Sequence, residues 1–247
     1  SYDPSSGGHS DRTITTFSYS DNGWNISEST LNNSTVAMNI FNDLCMSKNG
    51  QRIAISYDNV NYGTSTIAVY ENLLGGWVPV GEPIETYPYD TNQILLDENG
   101  DNLVIYDAPS RQQDPYGGFT PVRIFTYTNG AWNQKGDRIN PSGNFDLHGM
   151  CVQISDDGQR IAISSPYADG PMVPFGADKG RVDIYQFDNS KWQQIAFLYG
   201  DDAGDLFGYN FNFSDNGNRI AIGSLEHNDM AGHIKVFDYD SSIGSYT

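Results

Sequence analysis

The chain has 247 residues, of which 31 are acidic and 13 basic, giving a formal charge of −18. That balance excludes nucleic acid and an anionic membrane surface as partners, and no apolar run approaches the roughly 20 residues of a membrane span. Aromatic residues make up 13 %, charged residues only 18 %, and there are 26 glycines, a profile of many short strands joined by tight turns.

The first strand in chain order is RTITTFSY, ending at Tyr19, and a second runs through Trp24. A polar Ser/Thr/Asn stretch follows, with glycosylation sequons at Asn25, Asn32 and Asn33. These sequons favour a secreted protein, extracellular or at the cell surface, whose targeting segment is already gone.

From there one unit recurs. KNGQRIAIS ends at Ser56, ENGDNLVIY at Tyr106, DDGQRIAIS at Ser164 and DNGNRIAIG at Gly223, and their glycines Gly50, Gly100, Gly158 and Gly217 lie 50, 58 and 59 residues apart. After each comes a third strand, STIAVY, PVRIFTY, GRVDIYQF or GHIKVFDY, and then Trp77, Trp132, Trp192 or, in the last unit, Tyr246. Periods of this size mark one supersecondary unit stacked on its neighbours, because a single unit cannot bury its own apolar surface.

The third unit is the most legible. MCVQIS alternates on a period of two, Asp156-Asp157-Gly158 supplies hairpin chemistry, RIAISS returns, GRVDIYQF is a third strand and KWQQIAFL a fourth. The spacing predicts an all-β chain: a β-propeller of four-stranded antiparallel blades at about 39–84, 91–139, 146–198 and 205–247, preceded by a half blade at 12–31. Third strands carry aliphatics such as Ile234 and Val236 on one face and aromatics such as Phe237 and Tyr239 on the other, so both faces are expected to be buried. Cys45 and Cys151 fall on equivalent strands two units apart and read as two buried thiols, bridged only if both line a narrow centre.

Asp205-Leu206-Phe207-Gly208 resembles the FG-GAP repeats of integrin-α-like β-propellers, and Asp146-Leu147-His148-Gly149 stands in the same register. The resemblance implies a propeller that works outside the cell on a protein or glycan ligand. Relatives that bind calcium carry a D-x-D-x-D-G loop, which these turns are too short to match; Asp201, Asp202 and Asp205 are left as the candidate Ca²⁺ ligands, and no other cofactor is expected.

Catalytic motifs are missing from the sequence. His9, His148, His227 and His233 share no metal-ligand spacing, there is no nucleophile elbow, and no carboxylate pair can be placed as acid and base. Arg52, Arg160 and Arg219 occupy one repeat position and read as partners of the turn acids; Trp24, Trp77, Trp132 and Trp192 read as packing residues. Tyr116, Phe119 and Phe175, on variable connections, are the candidate ligand contacts. With no catalytic residue assigned, the expectation is a non-enzymatic structural or adhesive propeller. Its half blade would be completed by a neighbouring subunit, giving an oligomer or filament. Two other readings stay open: a propeller that binds or hydrolyses glycans, and a calcium-dependent ligand-binding ectodomain.

Overall fold

The computed structural model describes residues 12–20, 23–31, 40–59, 64–73, 76–86, 92–107, 121–140, 148–169 and 177–247. Tyr116, Phe119, Phe175, Asn32 and Asn33 lie outside them, as does the side chain of Asn25. Strands β1 (Arg12–Ser20) and β2 (Gly23–Leu31) pair as an antiparallel two-stranded sheet.

The first larger sheet joins β3 (Ile40–Met46), β4 (Arg52–Asn59), β5 (Thr64–Leu73) and β6 (Gly76–Pro79), and β7 (Ile84–Thr86) pairs back onto β5. The second joins β8 (Asn92–Leu96), β9 (Asn102–Asp107), β10 (Arg123–Thr128) and β11 (Ala131–Gln134). A third contains β12 (Val152–Ile154), β13 (Arg160–Ser165), β14 (Arg181–Phe187) and β15 (Trp192–Tyr199). The fourth is built from β16 (Phe207–Phe213), β17 (Arg219–Ser224), β18 (His233–Asp240) and β19 (Ser245–Tyr246).

Each sheet packs face to face on the next through its own apolar cluster. Ile67 and Val69 meet Ile94, Leu96, Leu103 and Ile105; Val122 and Ile124 meet Val152, Ile161 and Ile163; Val182 and Ile184 meet Phe207, Phe211, Ile220 and Ile222. A fully buried aliphatic or aromatic side chain contributes about 1.5–3 kcal/mol relative to exposure, so the stack, not any one sheet, carries the stability. The β1–β2 hairpin joins by Ile14, which packs beside Trp77 and Tyr70, and by Thr16, whose hydroxyl accepts the Trp77 indole N–H at 3.0 Å.

The turn after each first strand is built alike. Gly50, Gly100, Gly158 and Gly217 have φ of 73°, 74°, 63° and 64°, a region that glycine enters without steric cost. A side-chain oxygen three residues earlier accepts the N–H of the first residue of the return strand. It is the hydroxyl of Ser47, Ser155 or Ser214 at 2.9, 2.9 and 3.0 Å, and Oδ1 of Asp97 at 3.1 Å. All four turns lie at one end of the sheets, and the connections from second to third and fourth to first strand lie at the other.

Across each sheet boundary a cation from one sheet donates to the turn-glycine carbonyl of the next. Arg52 Nη1 reaches Gly100 O at 3.1 Å and Arg160 Nη1 reaches Gly217 O at 3.2 Å. At the middle boundary Asn102 stands where the others have arginine, and Lys135 Nζ reaches Gly158 O at 2.6 Å instead. The arginines were expected to pair with acids of their own turns; they reach instead to the following turn, or, for Glu71 and Asp238, to the third strand of their own sheet.

Two further expectations change. Ile234 and Val236 are 71 % and 56 % exposed, so the last sheet is not buried on both faces. Trp24 is 70 % exposed, whereas Trp77 is buried and Trp132 and Trp192 are half-buried. Cys45 and Cys151 are free and half-buried; burial pushes the Cys45 thiol up to about 12 and raises that of Cys151. No helix among the described residues is long and apolar enough to cross a membrane.

Candidate functional site

At the end opposite the turns, two backbone segments are laid against each other. Gly204 N donates to Ala177 O at 2.6 Å, Leu206 N to Asp178 O at 3.2 Å and Phe207 N to Lys179 O at 3.3 Å. This close approach is possible because Gly180, at φ 83°, has no side chain; a Cβ there would stand 2.2 Å from both N and O of Phe207. The contact holds the 200–206 connection over the third sheet and fixes Asp205.

Asp205 is 2 % exposed. Its Oδ2 accepts the N–H groups of Asp201 and Asp202, each at 3.0 Å, and its Oδ1 lies 2.9 Å from Nδ1 of His227. A buried carboxylate in that position holds the imidazole with Nδ1 as donor and leaves Nε2 as the acceptor. Nε2 has no hydrogen-bond partner among the described residues, and the His227 side chain is 24 % exposed. The His233 ring centre lies 4.9 Å from that of His227.

His227 opens a short turn, α1 (His227–Met230), in which Asn228, Asp229 and Met230 have φ of 52°, 56° and 68°. Three successive non-glycine residues in the left-handed region each cost about 1–2 kcal/mol, and such strain concentrates at functional sites. Asp202 completes the group: one ligand atom from each of Asp202, Asp205 and His227 lies within 4.8 Å of the others.

Of the candidate Ca²⁺ ligands, Asp202 and Asp205 are thus brought together, while Asp201 turns to Lys235, whose ammonium donates to it and holds its carboxyl below the ordinary range. His227, 22 residues after Asp205, had no sequence signal beyond its place on the connection after RIAIG. The catalytic assignment of none rested on spacing, and spacing does not reveal a pair brought together from two connections.

A second feature lies at the turn end. A cleft of about 360 Å³ is lined by Leu95, Tyr106, Gln153 and Phe213 and by the turn residues Asp97, Asp156 and Asp215. Lys48 also lines it, donating to Asp156 at 3.0 Å and to Asp215, so that one ammonium ties the first sheet to the third and fourth.

No protein-family model matches the chain, and no curated protein is similar to it in sequence. Among solved structures, a candidate 6-phosphogluconolactonase from Bacteroides uniformis is similar at 14 % identity and a TM-score of 0.57, over 95 % of this chain and 63 % of that one. A protein from Lactobacillus plantarum is similar at 15 % identity and a TM-score of 0.52, over 96 % and 65 %. The β-propeller domain of the Trilobed protease from Pyrococcus furiosus follows at 16 % identity and a TM-score of 0.48, over 93 % and 65 %. The chain therefore spans less than two thirds of the length of each of these three structures. The architecture occurs in a protein named for lactonase activity, which overturns the expectation of a non-enzymatic adhesive or filament-forming protein. What the likeness establishes is the fold: antiparallel sheets stacked as in a β-propeller.

Proposed function

We propose that this is a hydrolase-type β-propeller whose reaction centre is the Asp205–His227 pair. The observation that carries the reading is the buried Asp205 carboxylate accepting from Nδ1 of His227, which leaves Nε2 as an acceptor without a hydrogen-bond partner among the described residues, on a strained turn. In this role Nε2 takes a proton from water as the water attacks an acyl carbon, and Asp205 stabilises the imidazolium that forms. The proton then passes to the leaving oxygen or nitrogen. Lactones, esters and peptides are the substrates to screen, with a chromogenic ester first. His227→Ala should lower the rate about 10²–10⁴-fold, the usual contribution of a positioned base, and Asp205→Asn should lower it less. Equal rates in wild type and His227→Ala would sink the assignment.

A second reading rests on the convergence of Asp202, Asp205 and His227, a donor set that suits a divalent cation holding the attacking water. Activity abolished by a chelator and restored by Zn²⁺, Mn²⁺ or Ca²⁺ would favour it over the metal-free pair. The repeat is further read as of FG-GAP type, with unit bounds near 39–84, 91–139, 146–198 and 205–247. Leu206 and Gly208 of the Asp-Leu-Phe-Gly run, at φ 50° and 87°, support that reading. Location outside the cell rests on the sequon at Asn25, and a mass shift on enzymatic deglycosylation of the native protein would test it.

A further inference from the structure

The residue two places before the turn glycine is charged in every unit: Lys48, Glu98, Asp156 and Asp215. All four line the cleft of about 360 Å³ at the turn end, together with Tyr106 and with Leu95, Ile154 and Phe213 from the first strands of the second, third and fourth sheets. Backbone hydrogen bonds tie the turns in pairs, Asn49 N to Glu98 O at 3.0 Å and Asp156 N to Asp215 O at 2.8 Å. Stacking of the sheets therefore gathers these charges at one place. Three are acids, and the fourth is the Lys48 ammonium, which donates to the two oxygens of Asp156 at 3.2 and 3.0 Å and to Asp215. Neither the Glu98 carboxylate nor the Tyr106 hydroxyl has a hydrogen-bond partner among the described residues. With Asp97, the lining holds four carboxylates against one ammonium. Its volume falls within the range of small-molecule sites, about 300–1,000 Å³.

We propose that this cleft binds a small organic amine, a primary ammonium carried on an aromatic or branched aliphatic body. The ammonium takes the place of Lys48 between Asp156 and Asp215, with Glu98 as a third acceptor, and the body lies against Leu95, Tyr106 and Phe213. Lys48 defines the ligand class, because it is the chain's own ammonium held by the same acids. Its hold is weak enough to be displaced. The Lys48 and Asp215 side chains are 54 % and 79 % exposed, and such a pair is screened by solvent and opposed by the entropy of ordering a long side chain. An incoming amine meets the same carboxylates and also withdraws its apolar body from water, with aromatic rings in the lining to receive a cation. The acids repel an anion of the same shape, and a hard divalent ion gains nothing from Leu95, Ile154 or Phe213. The cleft lies at the opposite end of the sheets from Asp205 and His227, so this reading does not depend on the proposed reaction centre.

The test titrates the whole chain with phenethylammonium by calorimetry at low salt, with hydrocinnamate as an anionic probe of similar shape. Saturable binding of the amine and none of the anion is expected, with the ring resonances of Tyr106 and Phe213 shifted as the site fills. Lys48→Met removes the internal competitor and should tighten binding about tenfold, while Asp156→Asn combined with Asp215→Asn should weaken it about tenfold, as a lost charge-assisted hydrogen bond implies. Lys48 and Asp215 are exposed, and circular dichroism verifies the fold of each variant. Absence of binding in both wild type and Lys48→Met overturns the proposal. Equal affinity in those two chains does the same, since it leaves Lys48 a structural clasp alone. Hydrocinnamate bound as tightly as the amine, or Ca²⁺ that displaces the amine, would assign the cleft to another ligand class and overturn it equally.

Discussion

At the residue scale, one carbonyl per boundary is the point at which neighbouring sheets are tied. Lys135 shows how strictly that point is kept: it is 9 % exposed, bonds Asn102 Oδ1 at 3.1 Å and Gly158 O at 2.6 Å, and lies 5.1 Å from the Phe187 ring centre. Burial lowers its proton affinity, yet the ammonium is retained because without it a buried amide and a carbonyl lose their donor. Lys135→Met is therefore expected to cost about 1–3 kcal/mol, the penalty for stranding buried acceptors, read as a lower urea midpoint at unchanged slope. The sequence shows the three arginines as a repeat position but not their partners, since Gly100 and Gly217 are 48 and 57 residues away. The candidate site was hidden for the same reason. Asp205 was legible as an acid in a loop, but its pairing with His227 depends on two connections that only the stacking of sheets brings together.

At the element scale, the tryptophans act as pegs between sheets. Trp132 Nε1 donates to Val80 O at 2.8 Å and Trp192 Nε1 to Lys135 O at 2.7 Å, each across a boundary, while Tyr246 stands in this place in the fourth sheet and bonds Gly217 O. Trp192→Phe keeps the ring and loses the bond, so a loss of about 1 kcal/mol is expected. Trp24→Phe, on the exposed hairpin face, should stay within about 0.5 kcal/mol, and parallel urea titrations compare the two. Strand order and turn chemistry were legible because both are local: the alternation in MCVQIS and the Asx-Gly turn are written in adjacent residues. Exposure of Ile234 and Val236 was not. The sequence makes them equivalent to Val182 and Ile184, and only the presence or absence of a following sheet distinguishes a core position from an open face.

For the whole molecule, a charge of −18 is spread over turns in which carboxylates are held by specific donors. The N–H of Lys191 and the side chains of Gln193 and Ser190 depress Asp188; Lys235 depresses Asp201, Arg219 depresses Asp238 and Ser242 depresses Asp240, all below the ordinary 3.8. A carboxyl with a depressed folded-state value binds its proton more tightly once the chain unfolds. Its contribution is thus present above about pH 4 and is lost as the pH falls through the depressed values. These groups are exposed, so each contributes little, and salt screens the two ion pairs, Lys235 with Asp201 and Arg219 with Asp238. At the alkaline end burial reverses the roles: the Cys45 thiol is pushed up from 9.0 to about 12 and Tyr106 is raised in the same direction. The unfolded chain ionises these groups first, so their contribution is complete below pH 9 and is lost as the pH rises towards 12. Melting temperature plotted against pH should therefore form a plateau from about pH 4 to 9 with a fall on each side. In 0.5 M salt the acid limb should shrink by the share of Asp201 and Asp238, whose ion pairs with Lys235 and Arg219 are screened, while the alkaline limb should persist, because it arises from burial. Cys45→Ser should shift the alkaline limb upward in pH, and an alkaline limb unmoved by that substitution would remove the thiol from the account.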